Sequence, residues 1–279
     1  MPPPRVLWST GSFRLAVCRH GALWFNTADT YIGRSLERYG EFSELEVALL
    51  QQMAFPGSVI VEAGANIGAL TVPLARAAGP DGRVIAFEPQ RVVHQTLCAN
   101  VALNGLSHVD CRRAGVGAVA GTIHVPNIPA DRPENFGGVS LGRAGDASGT
   151  DSFDTVPLET VDGLALSSCR LLKVDVEGME LDVLRGAERT LRELRPLVYV
   201  ENDRAENSPA LIDHLLQRGY RLFWHLPPLF QSANFAGEAE NLFPGVVSVN
   251  MVGLPAEFEV LMRDFVEITR ADADWRTAV

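Results

Sequence analysis

From residue 59 onward, short β-branched and aliphatic runs alternate with longer stretches of helical periodicity, and this alternation constrains the fold more than any other feature of the chain. Strands joined by helical crossovers lie parallel in one sheet, with helices packed on both of its faces. The strand-like runs are Val59 to Ala63, Arg83 to Glu88, Val109 to Arg113, Gly121 to Val125, Leu171 to Asp175, Leu197 to Glu201, Tyr220 to His225 and Val246 to Gly253. Helical patterns cover Ala69 to Ala78, Arg91 to Asn104, Glu177 to Leu194 and Pro209 to Arg218. No helix separates the last two strands, so they are expected to close the sheet as an antiparallel hairpin across the long loop Leu226 to Gly245. Residues 126–152 show no periodicity and many Gly, Pro, Asp and Ser residues, and they read as a mobile loop. Loops this long in a compact domain are usually functional or disordered. The first 55 residues contain an amphipathic helix near Ser43 to Met53, expected to pack across one end of the sheet. The organisation is therefore an N-terminal helical extension or lid over residues 1–55 and a catalytic domain over residues 56–279.

The strand VIVEA runs straight into Gly64-Ala65-Asn66-Ile67-Gly68. A buried strand opening into a glycine-containing turn begins several kinds of nucleotide-cofactor site. Dinucleotide folds read G-x-G-x-x-G because a pyrophosphate must approach the backbone at a helix N-terminus. Here Asn66 replaces the middle glycine, so close phosphate approach is less well provided for. Glu88 follows about 20 residues after the last glycine, the distance at which a carboxylate accepts both hydroxyls of a ribose and repels a 2′-phosphate. Glu62 brings a second carboxylate to the same crevice, which suits a cationic ligand better than a diphosphate. S-adenosylmethionine has an ammonium, a sulfonium and no phosphate, and it meets those charges. The candidate cofactor contacts are Glu62, Gly64, Ala65, Asn66, Gly68, Glu88, Pro89, Ala114 and Asp175.

VIVEAGANIGALTVPLA, VIAFEP, LLKVDVEGMELDVLRGA and PLVYVEND occur in that order and resemble the FkbM-type family of S-adenosylmethionine-dependent methyltransferases. The lead-in DTYIGRSLERYGEFSELE and the closing VNMVGLP are also similar, so the likeness spans residues 29–255. KVDVEGME is its most specific piece. The resemblance implies an α/β class I methyltransferase fold, Rossmann-like, with a seven-stranded, mostly parallel sheet whose last strand is antiparallel. It also implies O-methylation, commonly of natural products or sugars. Glu62 stands where the family more often has Asp, which keeps the carboxylate and lengthens its reach.

Ligands of such sheets bind beyond the carboxyl ends of the strands. Asp175 ends one central strand, and Glu201 and Asn202 end the next. Three such oxygen-bearing side chains suit Mg²⁺, an arrangement resembling metal-dependent O-methyltransferases of the catechol type. A bound cation would orient two substrate oxygens and lower the hydroxyl pKa. The alternative is that Asp175 caps the following helix and the other two are ordinary loop residues. Lys173 interrupts an apolar strand, and a buried ammonium needs a carboxylate partner, for which Glu177 or Glu180 is expected. Asp175, Lys173 and His225 are the candidate catalytic residues, His225 as a general base if no metal takes part. Tyr39, Glu41, Trp224, Phe230 and Phe235 are candidates for a lid over cofactor and acceptor.

A formal net charge of −10 spread along the chain argues against a nucleic-acid partner. No apolar run reaches the ~18 to 20 residues of a membrane span, and the start MPPPRVLWSTGS lacks the layout of a secretion signal, so a cytoplasmic protein without membrane contact is expected. The four cysteines are far apart and form no CxxC pair, so neither a zinc site nor a disulfide framework is indicated and they read as free thiols in or near the core. An NAD-dependent oxidoreductase or epimerase is the rival enzyme. The chain has no Tyr-x-x-x-Lys pair, which counts against the short-chain type. A non-catalytic methyltransferase-like subunit is the rival of another class, while RNA methylation is disfavoured by the charge and by the absence of an N/D-P-P-[YF] motif after Asp175. The expected partner is a small-molecule acceptor with a hydroxyl; self-association into a homo-oligomer stays open.

Overall fold

The computed structural model describes residues 4–138 and 152–278. Its first strands form an antiparallel meander of β1 (Arg5–Thr10), β2 (Phe13–Cys18) and β3 (Gly21–Asn26), followed by α1 (Ile32–Tyr39) and α2 (Glu44–Met53). The N-terminal extension is thus half strand, not helical throughout as the amphipathic helix alone had implied. Period-two alternation explains the difference: Ala16, Cys18, Leu23 and Phe25 turn inward while their neighbours stay half-exposed or exposed.

The chain continues through β4 (Val59–Ala63), α3 (Thr71–Ala78), β5 (Arg83–Phe87), α4 (Arg91–Leu103), β6 (Val109–Arg112), β7 (Gly115–Val116), β8 (Gly121–Pro126) and β9 (Phe153–Glu159). Then come β10 (Leu171–Val174), α5 (Glu180–Arg185), β11 (Leu197–Glu201), α6 (Ser208–Leu216), β12 (Tyr220–His225), β13 (Asn250–Pro255) and β14 (Glu267–Ile268). The main sheet runs β14-β12-β13-β11-β10-β4-β5-β6. Its β6-β5-β4-β10-β11 part is parallel, and β13 lies antiparallel to both β11 and β12. The α/β class and the closing antiparallel hairpin agree with the sequence pattern. The strand inventory differs in two ways. The sheet has eight strands, because the two-residue β14 adds to the edge of β12. The run Gly121 to Val125 leaves it, pairing as β8 with β9 in a separate three-stranded sheet that includes β7. Only Ile123 and Val125 of β8 are buried, the pattern of a strand with one covered face, whereas β10 is buried at every position.

The predicted helix Glu177 to Leu194 is interrupted. Glu177 and Gly178 both have positive φ, 56° and 102°, which delays α5 until Glu180. Gly186 then packs so closely on Gly117 that a Cβ there would stand 2.1 Å from its carbonyl oxygen. One apolar layer, with Leu50, Ile60, Leu74 and Leu97, covers one face of the sheet, and another, with Val61, Leu172, Leu184 and Ile212, covers the other. The chain reverses direction across the sheet between β4 and β10. That switch point opens a crevice at their carboxyl ends.

Candidate active site

Backbone demands build the glycine-loop side of the crevice. Gly64 has φ 81°, and an added Cβ would lie 1.7 Å from the Asp175 carbonyl oxygen, so this loop closes on the end of β10 only with glycine. The Gly64 and Ala65 amides donate to the Phe87 carbonyl at 3.0 and 2.9 Å. Asn66 adopts φ 49° and accepts from its neighbour Ile67 with its side-chain oxygen. Gly68, at φ 85°, packs against Leu97. Glu88 clamps the two loops, its Oε2 accepting from the Asn66 amide at 3.0 Å and its Oε1 from the Gln90 amide at 2.8 Å. Burial raises the Glu88 carboxyl to about 7 although those two N–H donors pull it down. Pro89, Gln90 and Ala114 line the same cavity. Glu62 is fully buried; its Oε2 accepts from the Thr71 hydroxyl at 2.7 Å, while its Oε1 has no hydrogen-bond partner. A buried carboxylate oxygen held open in this way suits an incoming N–H donor.

Of the candidate cofactor residues, Glu62, Gly64, Ala65, Asn66, Glu88, Pro89, Ala114 and Asp175 line one cavity, and Gly68 supports the loop from behind. Glu46, Phe42, Ile32 and Gln90 line it as well and had no place in the sequence reading. For Glu46 a signal existed, the Ser43-x-x-Glu46 spacing of a helix start. The Ser43 hydroxyl donates to Glu46 Oε1 at 2.6 Å, and the Ser248 and Tyr199 hydroxyls meet the same carboxyl. From the long unpatterned loop, Asn135, Gly137 and Gly138 reach the cavity, while residues 139–151 lie outside the described residues.

Lys173 is buried with its Nζ 3.3 Å from Asp175 Oδ2, 3.2 Å from the Gly64 carbonyl and 3.7 Å from Glu62 Oε1. Its partners are therefore Asp175 and Glu62, and the expectation of Glu177 or Glu180 was wrong. Strand register decides the matter, since Lys173 lies directly opposite Glu62 in the parallel β10–β4 pair. Glu180 instead accepts from the Gly178 amide at 2.8 Å, and Glu177 meets Arg204 at 3.1 Å. Burial disfavours the Lys173 charge, but Asp175, Glu62 and Glu46 outweigh it and push the pKa up. An ammonium held protonated does not act as a base.

His225 also fails as the base. Its Nδ1 lies in hydrogen-bond contact with the Tyr199 hydroxyl at 2.8 Å, its ring packs near Phe265, and burial lowers its pKa to about 4. It ends β12, separated from β10 by the two strands β13 and β11, and is not among the cavity-lining residues. The proposed lid aromatics divide similarly. Trp224 is buried within the sheet. Tyr39 donates to the Glu240 carbonyl and accepts from the Leu242 amide, and Glu41 accepts from Arg19, Gln231 and the Phe235 amide. With Phe230 packed on Tyr39, these residues make a seam fastening the 226–245 loop to the N-terminal segment.

The metal set expected from Asp175, Glu201 and Asn202 is not assembled. Asn202 is buried with its amide directed at the Met251 sulfur, 3.1 Å away. Successive residues leave a strand on opposite faces, so Glu201 and Asn202 do not share the rim. Glu177 takes the third place, and Asp175, Glu177 and Glu201 offer oxygens within 4.8 Å of one another. Two of these carboxylates already have a fixed cation, Lys173 on Asp175 and Arg204 on Glu177. One negative charge is left uncompensated, which does not fit a dication such as Mg²⁺ beside a cationic cofactor.

The sequence profile of the methyltransferase FkbM domain matches residues 62–222. Methyltransferase sdnD of Sordaria araneosa is 33% identical over 193 residues, covering 57% of this chain and 71% of its own. Methyltransferase 1 of Beauveria bassiana is 30% identical over 160 residues, covering 52% and 64%. A crystal structure of methyltransferase FkbM from Methylobacillus flagellatus overlaps with a TM-score of 0.46 at 18% identity, covering 71% of this chain and 43% of that one. The profile spans more than half of the sequence and includes the glycine loop, Glu88 and KVDVEGME; the chain belongs to the FkbM family of S-adenosylmethionine-dependent methyltransferases.

Proposed function

We propose that the protein transfers the methyl group of S-adenosylmethionine to a hydroxyl of a small-molecule acceptor, a natural product or a sugar. The observation that carries this reading is the cavity at the β4–β10 switch point, lined by Glu88 on its loop and by Glu62, whose Oε1 has the Lys173 ammonium 3.7 Å away but no hydrogen-bond donor. Ribose hydroxyls would add to Glu88, and the cofactor ammonium would give Glu62 Oε1 the donor it lacks. The half-exposed Asp175 carboxylate, 3.3 Å from the Lys173 ammonium, takes the hydroxyl proton. The new bond joins acceptor oxygen to methyl carbon, the sulfur–methyl bond breaks, and the sulfonium leaves as the neutral thioether. Lys173 holds Asp175 in place and keeps its own proton. Oxygen is favoured over nitrogen as the acceptor atom because the residues after β10 are Asp175-Val176-Glu177-Gly178, without the Asn/Asp-Pro-Pro aromatic motif frequent in amino-group methylation.

Calorimetric titration with S-adenosylhomocysteine and separately with NAD, each with and without Mg²⁺, tests the cofactor assignment. Binding of S-adenosylhomocysteine alone, unchanged by Mg²⁺, is expected. Binding of NAD alone would remove the reading. Label from methyl-labelled cofactor recovered on nitrogen or carbon of an acceptor would remove the hydroxyl assignment.

A further inference from the structure

Glu201 ends β11, the parallel neighbour of β10, and lines the cavity beyond Asp175. Its Oε2 is buried and has no hydrogen-bond partner. Burial, and then the nearby charges of Asp175 and Glu177, push its carboxyl well above the usual carboxylate range. A buried acid so placed keeps its charge only when a cation arrives. The cofactor's ammonium has its own acceptor in Glu62, across the Lys173 ammonium from Asp175. Glu201 is therefore free for the second substrate. Since Lys173 and Arg204 already compensate Asp175 and Glu177, the occupant that balances the rim brings one positive charge together with N–H donors.

We infer that the acceptor is a hydroxylated amine, whose protonated amino group binds at Glu201 between Asp175 and Glu177 while its hydroxyl faces the cofactor. The assignment rests on the methyl-transfer reading above and adds the class of substrate to it. It also accounts for the choice of atom. An ammonium held by carboxylates has no lone pair to attack the methyl group and keeps all its protons, so the hydroxyl oxygen is the nucleophile and its proton passes to Asp175.

The test uses full-length protein saturated with S-adenosylhomocysteine, whose own binding reports on the cofactor reading separately. Matched probes, glucosamine against glucose and serinol against glycerol, are titrated at millimolar concentration by calorimetry and saturation-transfer NMR. The aminated member of at least one pair is expected to bind about tenfold tighter or more, the scale of one charge-assisted hydrogen bond. In Glu201→Gln that preference should shrink to about twofold, with affinity for S-adenosylhomocysteine unchanged as the check on folding. Equal binding within both pairs, no binding by either amine, or a preference that survives in Glu201→Gln would overturn the inference. So would Mn²⁺ binding, followed by electron paramagnetic resonance, that is present in the wild type and lost in Glu201→Gln, because the rim would then be a metal site.

Discussion

An added methyl at Gly64 meets the Asp175 carbonyl at 1.7 Å while its backbone sits at φ 81°, so Gly64→Ala combines a clash with strain. Strain alone costs about 1–3 kcal/mol. The variant is expected to melt several degrees lower and to lose at least about tenfold in affinity for S-adenosylhomocysteine, read by thermal denaturation and calorimetry. Glu88 yields a pH dependence. Its folded-state pKa of about 7 lies above the ordinary 4.5, so the folded protein holds more protons than the unfolded chain between those values. This group therefore makes the ligand-free protein less stable as pH rises through that window. Cofactor binding has the opposite sign, because ribose hydroxyls donate best to the ionised carboxylate. Affinity for S-adenosylhomocysteine should rise about tenfold from pH 6 to pH 8 and stay nearly flat in Glu88→Gln. A wild-type profile as flat as that of the variant would exclude Glu88 as a ribose acceptor. Glu88 and the glycines were legible in the sequence because each answers to a short-range rule: a turn needing positive φ, or a carboxylate one strand further on. Lys173 was legible only as an anomaly, because its partner lies on another strand.

At the scale of elements, the 226–245 loop and the strand–helix N-terminal segment are joined through Tyr39 and Glu41, and also through Arg38 on Glu238 and Glu240 and Arg19 on the Ala233 carbonyl. Glu41 is buried and accepts from Arg19 at 2.7 Å, from Gln231 at 2.7 Å and from the Phe235 amide at 2.6 Å. Removing the carboxylate leaves the Phe235 amide without its acceptor and the Arg19 guanidinium with only the Ala233 carbonyl and the more distant Glu44. Glu41→Ala should lower the unfolding free energy by about 2–4 kcal/mol in urea titration, and Glu41→Gln by less. A change below about 0.5 kcal/mol would mean that the seam carries no stability. The residues of this seam were visible in the sequence as an aromatic-rich loop and an RYGEF segment, yet composition could not separate a cover over the site from a fastening beside it. Likewise β8 read correctly as a strand, but local alternation does not say which sheet a strand joins.

At the scale of the whole molecule, the N-terminal segment shares the core of the sheet it covers. Leu23, Phe25, Leu36 and Leu50 lie in the same apolar cluster as Ile60, Leu74 and Leu97. Each such side chain contributes about 1.5–3 kcal/mol on burial, so four of them approach the whole stability of a typical domain, about 5–15 kcal/mol. Deleting residues 1–53 should give an insoluble or non-cooperatively melting product, assessed by solubility and circular dichroism. A soluble product with a sharp transition would instead mark the segment as a detachable cover. Among the described residues no helix is long and apolar enough to cross a membrane.

By itself the sequence determined the α/β alternation, the strand-to-glycine turn, the Glu88 position and the closing hairpin, because periodicity and backbone geometry act within windows of a few to about 20 residues. Tertiary structure decided the chemistry of the rim. Parallel register set Lys173 opposite Glu62, and the faces of β11 sent Glu201 to the cavity and Asn202 to the core. A positive φ at Glu177 brought its carboxylate beside Asp175, and packing carried Glu46 in from the N-terminal segment. Burial and Coulomb interaction depend on distances between residues far apart in the chain, and only the folded sheet specifies those distances.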